Sequence, residues 1–246
     1  MILYFPKFFI FFRSISFILS IIKKYFFLKI NIAIMIIERF NKIKSNIDDL
    51  KPSKPVNIVA ISKTFSLDHI KPLIDFGHNH FGENKVQEAK VKWSEIKKIN
   101  KTLNLHMVGK LQSNKAKDAV SIFDYIHSLD NQKLADQLLK HQINLNRKLK
   151  YFIQVNIGNE IQKSGIPVTE LDAFYTYCVN EINLNVVGLM VIPPNDNNAE
   201  KYFKSLNDLN KSLSLENLSM GMSADYIEAV KQGSNFVRME VLFLVT

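Results

Sequence analysis

Cysteine is all but missing from this chain. Cys178 is the one thiol in 246 residues, which excludes a disulfide framework and leaves too few thiolates for a Cys-based zinc site. Arginine is scarce, with four against 28 lysines, so each arginine in a regular element carries more information than a lysine does. Acidic residues are absent from residues 1–34. No G-x-G-x-x-G follows the first strand-like run, and no P-loop, Ser-His-Asp order or metal-spaced pair of histidines occurs. Those gaps remove dinucleotide-binding, P-loop, serine-triad and zinc-hydrolase readings.

What is present divides near residue 35. With 47% hydrophobic and 22% charged residues, disorder is excluded as the main state. The net charge of +9 would ordinarily point to nucleic acid or a membrane surface. Residues 1–34 hold Lys7, Arg13, Lys23, Lys24 and Lys29, together with 8 of the 18 phenylalanines. The rest of the chain carries 27 basic against 23 acidic residues, so its charge does not argue for nucleic acid. The first segment is too interrupted by Arg13, Lys23, Lys24 and Lys29 to supply the ~20 apolar residues of a membrane span. It also lacks the order of a signal peptide. Abundant Lys, Asn and Ile indicate a genome rich in A and T, and the segment reads as upstream sequence with Met35 as the true start. A membrane anchor is the alternative. The working division is therefore residues 1–34, then one domain over 35–246.

From residue 36 the apolar pattern alternates between helical and strand periods. Ile36, Ile37, Phe40, Ile43, Ile47 and Leu50 predict a helix over 36–50. Strands follow at 57–62, 80–82, 105–109, 125–129, 150–157, 185–192, 217–221 and 236–244. Helices separate them at 67–76, 84–98, 113–120, 131–143, 168–180, 197–212 and 223–232. Eight strands with helical crossovers predict an α/β fold, a single (β/α)8 TIM-type barrel preceded by an N-terminal helix. A doubly wound open sheet is the architectural alternative.

In such a barrel, functional side chains stand where strands run into the following loops. Lys63 ends NIVAISK, where low-dielectric walls lower an amine's pKa and prepare it to condense with an aldehyde. A solvated loop lysine is the plain alternative. NLSMGMS (217–223) offers Ser219, Gly221 and backbone N–H groups before a helix, a cradle suited to phosphate; Ser223 as an ordinary helix cap is compatible with it. Arg238 on the last strand reads as a functional cation, against a rim salt bridge. His106 and His127, in strands, read as hydrogen-bonded core residues, and His78 and His80 lack a third ligand for a metal. The lysines of LQSNKAKD (111–118) fit either an anion or a solvated helix face.

Seven segments occur in an order that resembles the YggS/PROSC family of pyridoxal 5′-phosphate (PLP) homeostasis proteins. They are AISK (60–63), HFGENKVQE (80–88), HMVGKLQSNK (106–115), HSLD (127–130), IQVNIGNEIQKSGI (153–166), GLMVIPP (188–194) and LSMGMSADYIEAVKQGSNFVRM (218–239). The resemblance implies a single barrel of the alanine racemase N-terminal type that holds PLP as a Schiff base on Lys63. Asn84 and Met190 match residues lining the cofactor ring. Ser219 and Gly221 match residues on the phosphate side, and Arg238 matches the arginine facing the pyridine nitrogen. It further implies PLP homeostasis without catalytic turnover and exchange with PLP-dependent apo-enzymes. The modest charge left after residue 34 suits a cytoplasmic protein with no nucleic-acid partner. The lack of a second domain favours a monomer, and no metal is expected. A PLP-dependent racemase or decarboxylase of the same barrel type is the alternative.

The last eight residues depart from that resemblance. The family continues the final strand as R-I-G-x-x-I-F-G, whereas this chain reads Arg238-Met239-Glu240-Val241-Leu242-Phe243-Leu244-Val245-Thr246. Glu240 stands where the family has a glycine, and a carboxylate there repels phosphate. One inserted base in a suitable set of codons restores the family ending, so residues 239–246 read as frameshifted.

Overall fold

The structure is a computed structural model that describes residues 5–160 and 162–240, with side chains described from residue 20. Its element order is α1 (Phe5–Asp49), β1 (Asn57–Ile61), α2 (Leu67–Asp75), β2 (His80–Glu83), α3 (Val86–Ile99), β3 (Asn104–Met107), α4 (Ala116–Ile122), β4 (Tyr125–Leu129) and α5 (Gln132–Leu145). Then come β5 (Lys150–Asn156), β6 (Ile166–Pro167), α6 (Leu171–Thr176), β7 (Val186–Met190), α7 (Ala199–Ser212), β8 (Asn217–Met222), α8 (Tyr226–Lys231) and β9 (Phe236–Met239).

All strand pairings are parallel, in the order β4-β3-β2-β1-β9-β8-β7-β5 with β4 also paired to β5. That last pairing closes the sheet into an eight-stranded barrel and excludes the open doubly wound alternative. The two-residue β6 adds to the outer end of β5, and nothing in the period-2 pattern announces so short a strand.

Local signals account for the helix boundaries. In α2, Ile70 and Leu73 are buried three residues apart, as one helical face requires. Gly77 at φ +95° then turns the chain, its N–H donating to Ile74 O while His78 N–H donates to Leu73 O. Asn131 caps α5 by accepting from Leu134 N–H, and Asn146 ends it in the left-handed region at φ 46°. The predicted helix over 168–180 is instead one 3₁₀ turn, the short α6 and a π-helical turn at Tyr177–Glu181.

Burial falls into two layers. Val59, Ile61, Tyr125, Phe152, Met190 and Phe236 fill the barrel interior, while a larger cluster including Trp93, Phe123, Phe203 and Leu206 lies between strands and helices. Each fully buried large apolar side chain contributes about 1.5–3 kcal/mol.

The compositional join near residue 35 is not a break in the backbone, because α1 runs through it. The two parts differ in packing. Ile36, Phe40, Ile43 and Ile47 are buried against the barrel, whereas Ile21, Ile22, Tyr25, Phe26, Phe27 and Leu28 are exposed. Among the described residues no helix is long and apolar enough to cross a membrane. Upstream of Met35, Lys29 pairs with Asp68 at the surface and Ile32 packs on the core's edge. Such contacts are weak, so a chain beginning at Met35 is expected to melt no more than ~5 °C below the full chain. Thermal unfolding of both chains checks this, and a much larger loss would show that residues 1–34 are part of the stabilising fold.

Candidate functional site

The loops at the C-terminal ends of the strands enclose a cavity of about 630 Å³. β1 brings Lys63 to it. Ser62 N–H donates to Gly82 O, continuing the β1–β2 ladder one residue past the strand, and Thr64 at φ 66° then turns the chain away. The turn is anchored beneath Lys63 by a buried carboxylate. Glu83 Oε1 accepts from Ser62 Oγ at 2.7 Å, Lys92 Nζ at 2.9 Å and Trp93 Nε1 at 2.9 Å. Lys92 Nζ also donates to Ser62 O at 2.7 Å. A buried ion pair with this many satisfied donors fixes geometry more than it adds net stability.

Arg238 reaches the same cavity from β9, which pairs with β1 so that Val59 lies opposite Arg238. Its Nη1 donates to Ser219 O and Oγ, and its Nη2 to Val191 O, each at 2.8 Å. Burial lowers its pKa to about 10, which still leaves it a cation at neutral pH. Among the described residues none of the salt bridges includes Arg238; Asp225 acts on it only through space.

The cavity wall is basic. Lys63, Lys110, Lys163 and Arg238 line it, against Glu240. Lys63 Nζ is 3.2 Å from Glu240 Oε1, with the two side chains 34% and 42% exposed. Lys163 pairs with Glu160 at 2.6 Å and donates to Pro193 O. At the end of β8 one of two groups that could receive an anion, a backbone N–H, is already engaged; the other, a serine hydroxyl, only accepts and keeps its proton to donate. Met222 N–H donates to Asp225 Oδ1 at 2.6 Å, and Ser223 Oγ accepts from Glu240 N–H at 3.2 Å.

Of the six residues singled out in the sequence, Lys63, Asn84 and Arg238 stand together on this wall. The other three do not line it. Met190 is fully buried in the barrel interior against Phe152 and Phe236. Ser219 is buried, with its hydroxyl between His127 and Arg238. Gly221, at φ +91°, is where β8 meets α8, and a Cβ there would lie 2.5 Å from Ala229 Cβ. That close approach explains the glycine without a ligand. His106 and His127 are buried and hydrogen-bonded, and no metal-ligating cluster occurs among the described residues. Residues 241–246, and with them most of the stretch read as frameshifted, lie outside the described residues.

Lys163, Gln162 and Ser164 on the β5–β6 loop were missed as candidates. The available signal was Lys-Ser-Gly after the fifth strand. Gly165 lets that loop fold back, since a Cβ there would lie 2.7 Å from Asn156 N.

Residues 39–240 match the family model described as alanine racemase, N-terminal domain. A protein of Aquifex aeolicus named pyridoxal phosphate homeostasis protein is 34% identical over 194 residues, covering 75% of this chain and 84% of the relative. The chain belongs to the pyridoxal phosphate homeostasis family. The Haemophilus influenzae relative of the same name is 36% identical over 196 residues, 75% of this chain and 82% of its own. Among solved structures, PipY of Synechococcus elongatus PCC7942, determined with PLP bound, superposes with a TM-score of 0.74 at 33% identity, covering 85% of this chain and 100% of PipY. Alanine racemase of Bartonella henselae shares the fold at 13% identity and a TM-score of 0.67, with this chain matching 59% of it.

Proposed function

We propose that this chain binds PLP at the barrel mouth, bonded to Lys63, and exchanges it with PLP-dependent apo-enzymes without turnover of its own. The observation that carries the proposal is the meeting of Lys63 and Arg238 on one basic cavity wall, in a family whose PipY member was solved with PLP. When bound, PLP supplies an aldehyde that takes up an amine with loss of water, and a pyridine ring that withdraws electrons.

The residues fit that group at two of its ends. Lys63 supplies the amine, held at the end of β1 by the Ser62–Glu83–Lys92 network. Arg238 supplies a permanently charged donor for the ring nitrogen, part of its donor fork being left over from its three bonds to protein. A donor that never gives up its proton leaves the ring nitrogen unprotonated and the ring a weaker electron sink than a carboxylate would. That suits holding PLP better than driving carbanion chemistry. Asn84 borders the ring, and Met190, Ser219 and Gly221 act from behind the wall. Lys110 and Lys163 offer charge to the phosphate.

Glu240 opposes the phosphate and also pairs with Lys63, so that ion pair must part before the amine can react. Glu240→Gln is expected to tighten PLP binding about tenfold, a modest part of the Coulomb energy available to charges this exposed. Absorbance titration of both chains with PLP measures it; equal or weaker affinity in the variant removes Glu240 as an opposing group.

Saturable binding of a single PLP per chain, followed by activation of an added apo-enzyme, tests the reading as a whole. Interconversion of D- and L-alanine by the loaded protein would favour the racemase alternative instead. Cytoplasmic residence and a monomeric state are part of the same proposal, the second open to sedimentation.

A further inference from the structure

A chain of hydrogen bonds crosses the barrel interior behind the cavity. His80 Nδ1 lies 2.9 Å from His106 Nε2, His106 Nδ1 lies 2.9 Å from His127 Nε2, and His127 Nδ1 lies 2.7 Å from Ser219 Oγ. Ser219 Oγ in turn is 2.8 Å from Arg238 Nη1. The members come from β2, β3, β4, β8 and β9, and the imidazoles are packed among Tyr125, Phe152 and Phe236.

Such a chain could point either way, and Arg238 decides which. A guanidinium only donates, so Arg238 gives a proton to Ser219 Oγ. If His127 also donated to that oxygen, the buried serine proton would have no acceptor among its described contacts, an expensive vacancy in a dry site. If Ser219 donates to His127 Nδ1, the protons of Ser219, His127 and His106 each find an acceptor. His127 then carries its hydrogen on Nε2 and gives it to His106 Nδ1, and His106 gives its Nε2 hydrogen to His80 Nδ1. One permanent donor thereby fixes the tautomer of each ring. Burial, the leading cause, holds His106 and His127 neutral, their pKa values well below the usual histidine range; Arg238 is the next cause for His127.

The same polarity answers how a buried arginine with no carboxylate partner among the described residues keeps its charge. Each ring turns its acceptor nitrogen toward the guanidinium and its N–H away. Aligned dipoles of this kind reinforce one another at low dielectric. A carboxylate would cancel the charge, whereas neutral dipoles stabilise it and leave it uncompensated toward the cavity.

We propose that Ser219, His127, His106 and His80 are positioning residues for Arg238, a neutral relay that takes the place of a counter-carboxylate and presents the full guanidinium charge to the ligand ring. Only its last clause rests on the proposed PLP binding; the relay itself is a property of the ligand-free protein.

The test therefore begins without PLP. Long-range proton–nitrogen NMR on the full chain with 15N-histidine is expected to show His80, His106 and His127 neutral and protonated on Nε2 at neutral pH. An Nδ1–H or doubly protonated form of His106 or His127 overturns the relay. In Arg238→Met the fixed donor is gone, and the single tautomer at His127 should give way to a mixture; an unchanged spectrum would also overturn the proposal. With PLP, His127→Phe is expected to weaken binding about tenfold. His127→Asn, whose amide oxygen can take the serine proton, should recover most of that loss, and native-like binding by His127→Phe would count against the relay. If the variants do not fold, the tautomers of the unaltered chain decide. If the unaltered chain does not take up PLP, the functional proposal fails while the tautomer result stands by itself.

Discussion

Lys63→Ala is expected to abolish covalent attachment of PLP and to leave only weak, rapidly reversed binding through the basic wall. The expectation follows from position. Lys63 comes from the end of β1, on the same wall as Arg238, and its backbone is tied by Ser62 to the buried Glu83. Lys110 and Lys163 also line the cavity, so loss of one positive charge still leaves anion affinity. The bond to the aldehyde, by contrast, requires an amine placed next to it. Lys63→Arg separates the two contributions, since it keeps the charge and removes the nucleophile. Both variants should lose the near-ultraviolet to violet band of lysine-bound PLP, with Lys63→Arg retaining more residual affinity. Fold is little at risk, because the side chain is 34% exposed and its ion pair with Glu240 is also partly exposed. Retention of the band in either variant would assign the amine to another lysine.

The second large effect is acid lability between about pH 6.5 and pH 4. Burial, the leading cause, lowers His78 and His80 from 6.5 to about 4, and lowers His106 and His127 well below 6.5. The unfolded chain therefore binds more protons than the folded one throughout that window. Stability is then fully present above the unfolded-state value of 6.5 and falls as the pH drops toward the folded-state value of about 4. Each histidine removes about 1.4 kcal/mol per pH unit at most, and four acting together approach the ~5–15 kcal/mol that holds a domain folded. Thermal melts from about pH 7 down to about pH 4.5 should show Tm falling through the histidine range, above that of carboxylates. A Tm that stays flat until carboxylates titrate would mean that these rings are not held neutral.

Much of the fold was legible because each strand is short, apolar and bounded by polar helices. YIHSL at 125–129 coincides with β4, and 57–62 and 150–157 differ from β1 and β5 by one residue each. Lys63 and Arg238 could be named because each lies near the C-terminal end of a strand and because the resemblance matched both. Their meeting at one cavity depends on β1 closing onto β9, which no local pattern contains. Met190, Ser219 and Gly221 were placed in the right strands, but that they lie behind the cavity wall was not legible, since periodicity does not tell how deep in a barrel a residue lies. The histidine relay was invisible for the same reason. His80, His106 and His127 are scattered along the chain, and only strand adjacency and the turn of the barrel bring them within hydrogen-bond reach. Continuity of α1 through residues 20–34 was missed because the break in composition looked like a break in structure.

The most direct test of the central claim is to load the unaltered chain with PLP, reduce it with borohydride and map the modified peptide by mass spectrometry. The account predicts one PLP-bearing site, Lys63, in a chain that holds 28 lysines. Modification at another lysine, spread over many, or absent altogether would contradict it.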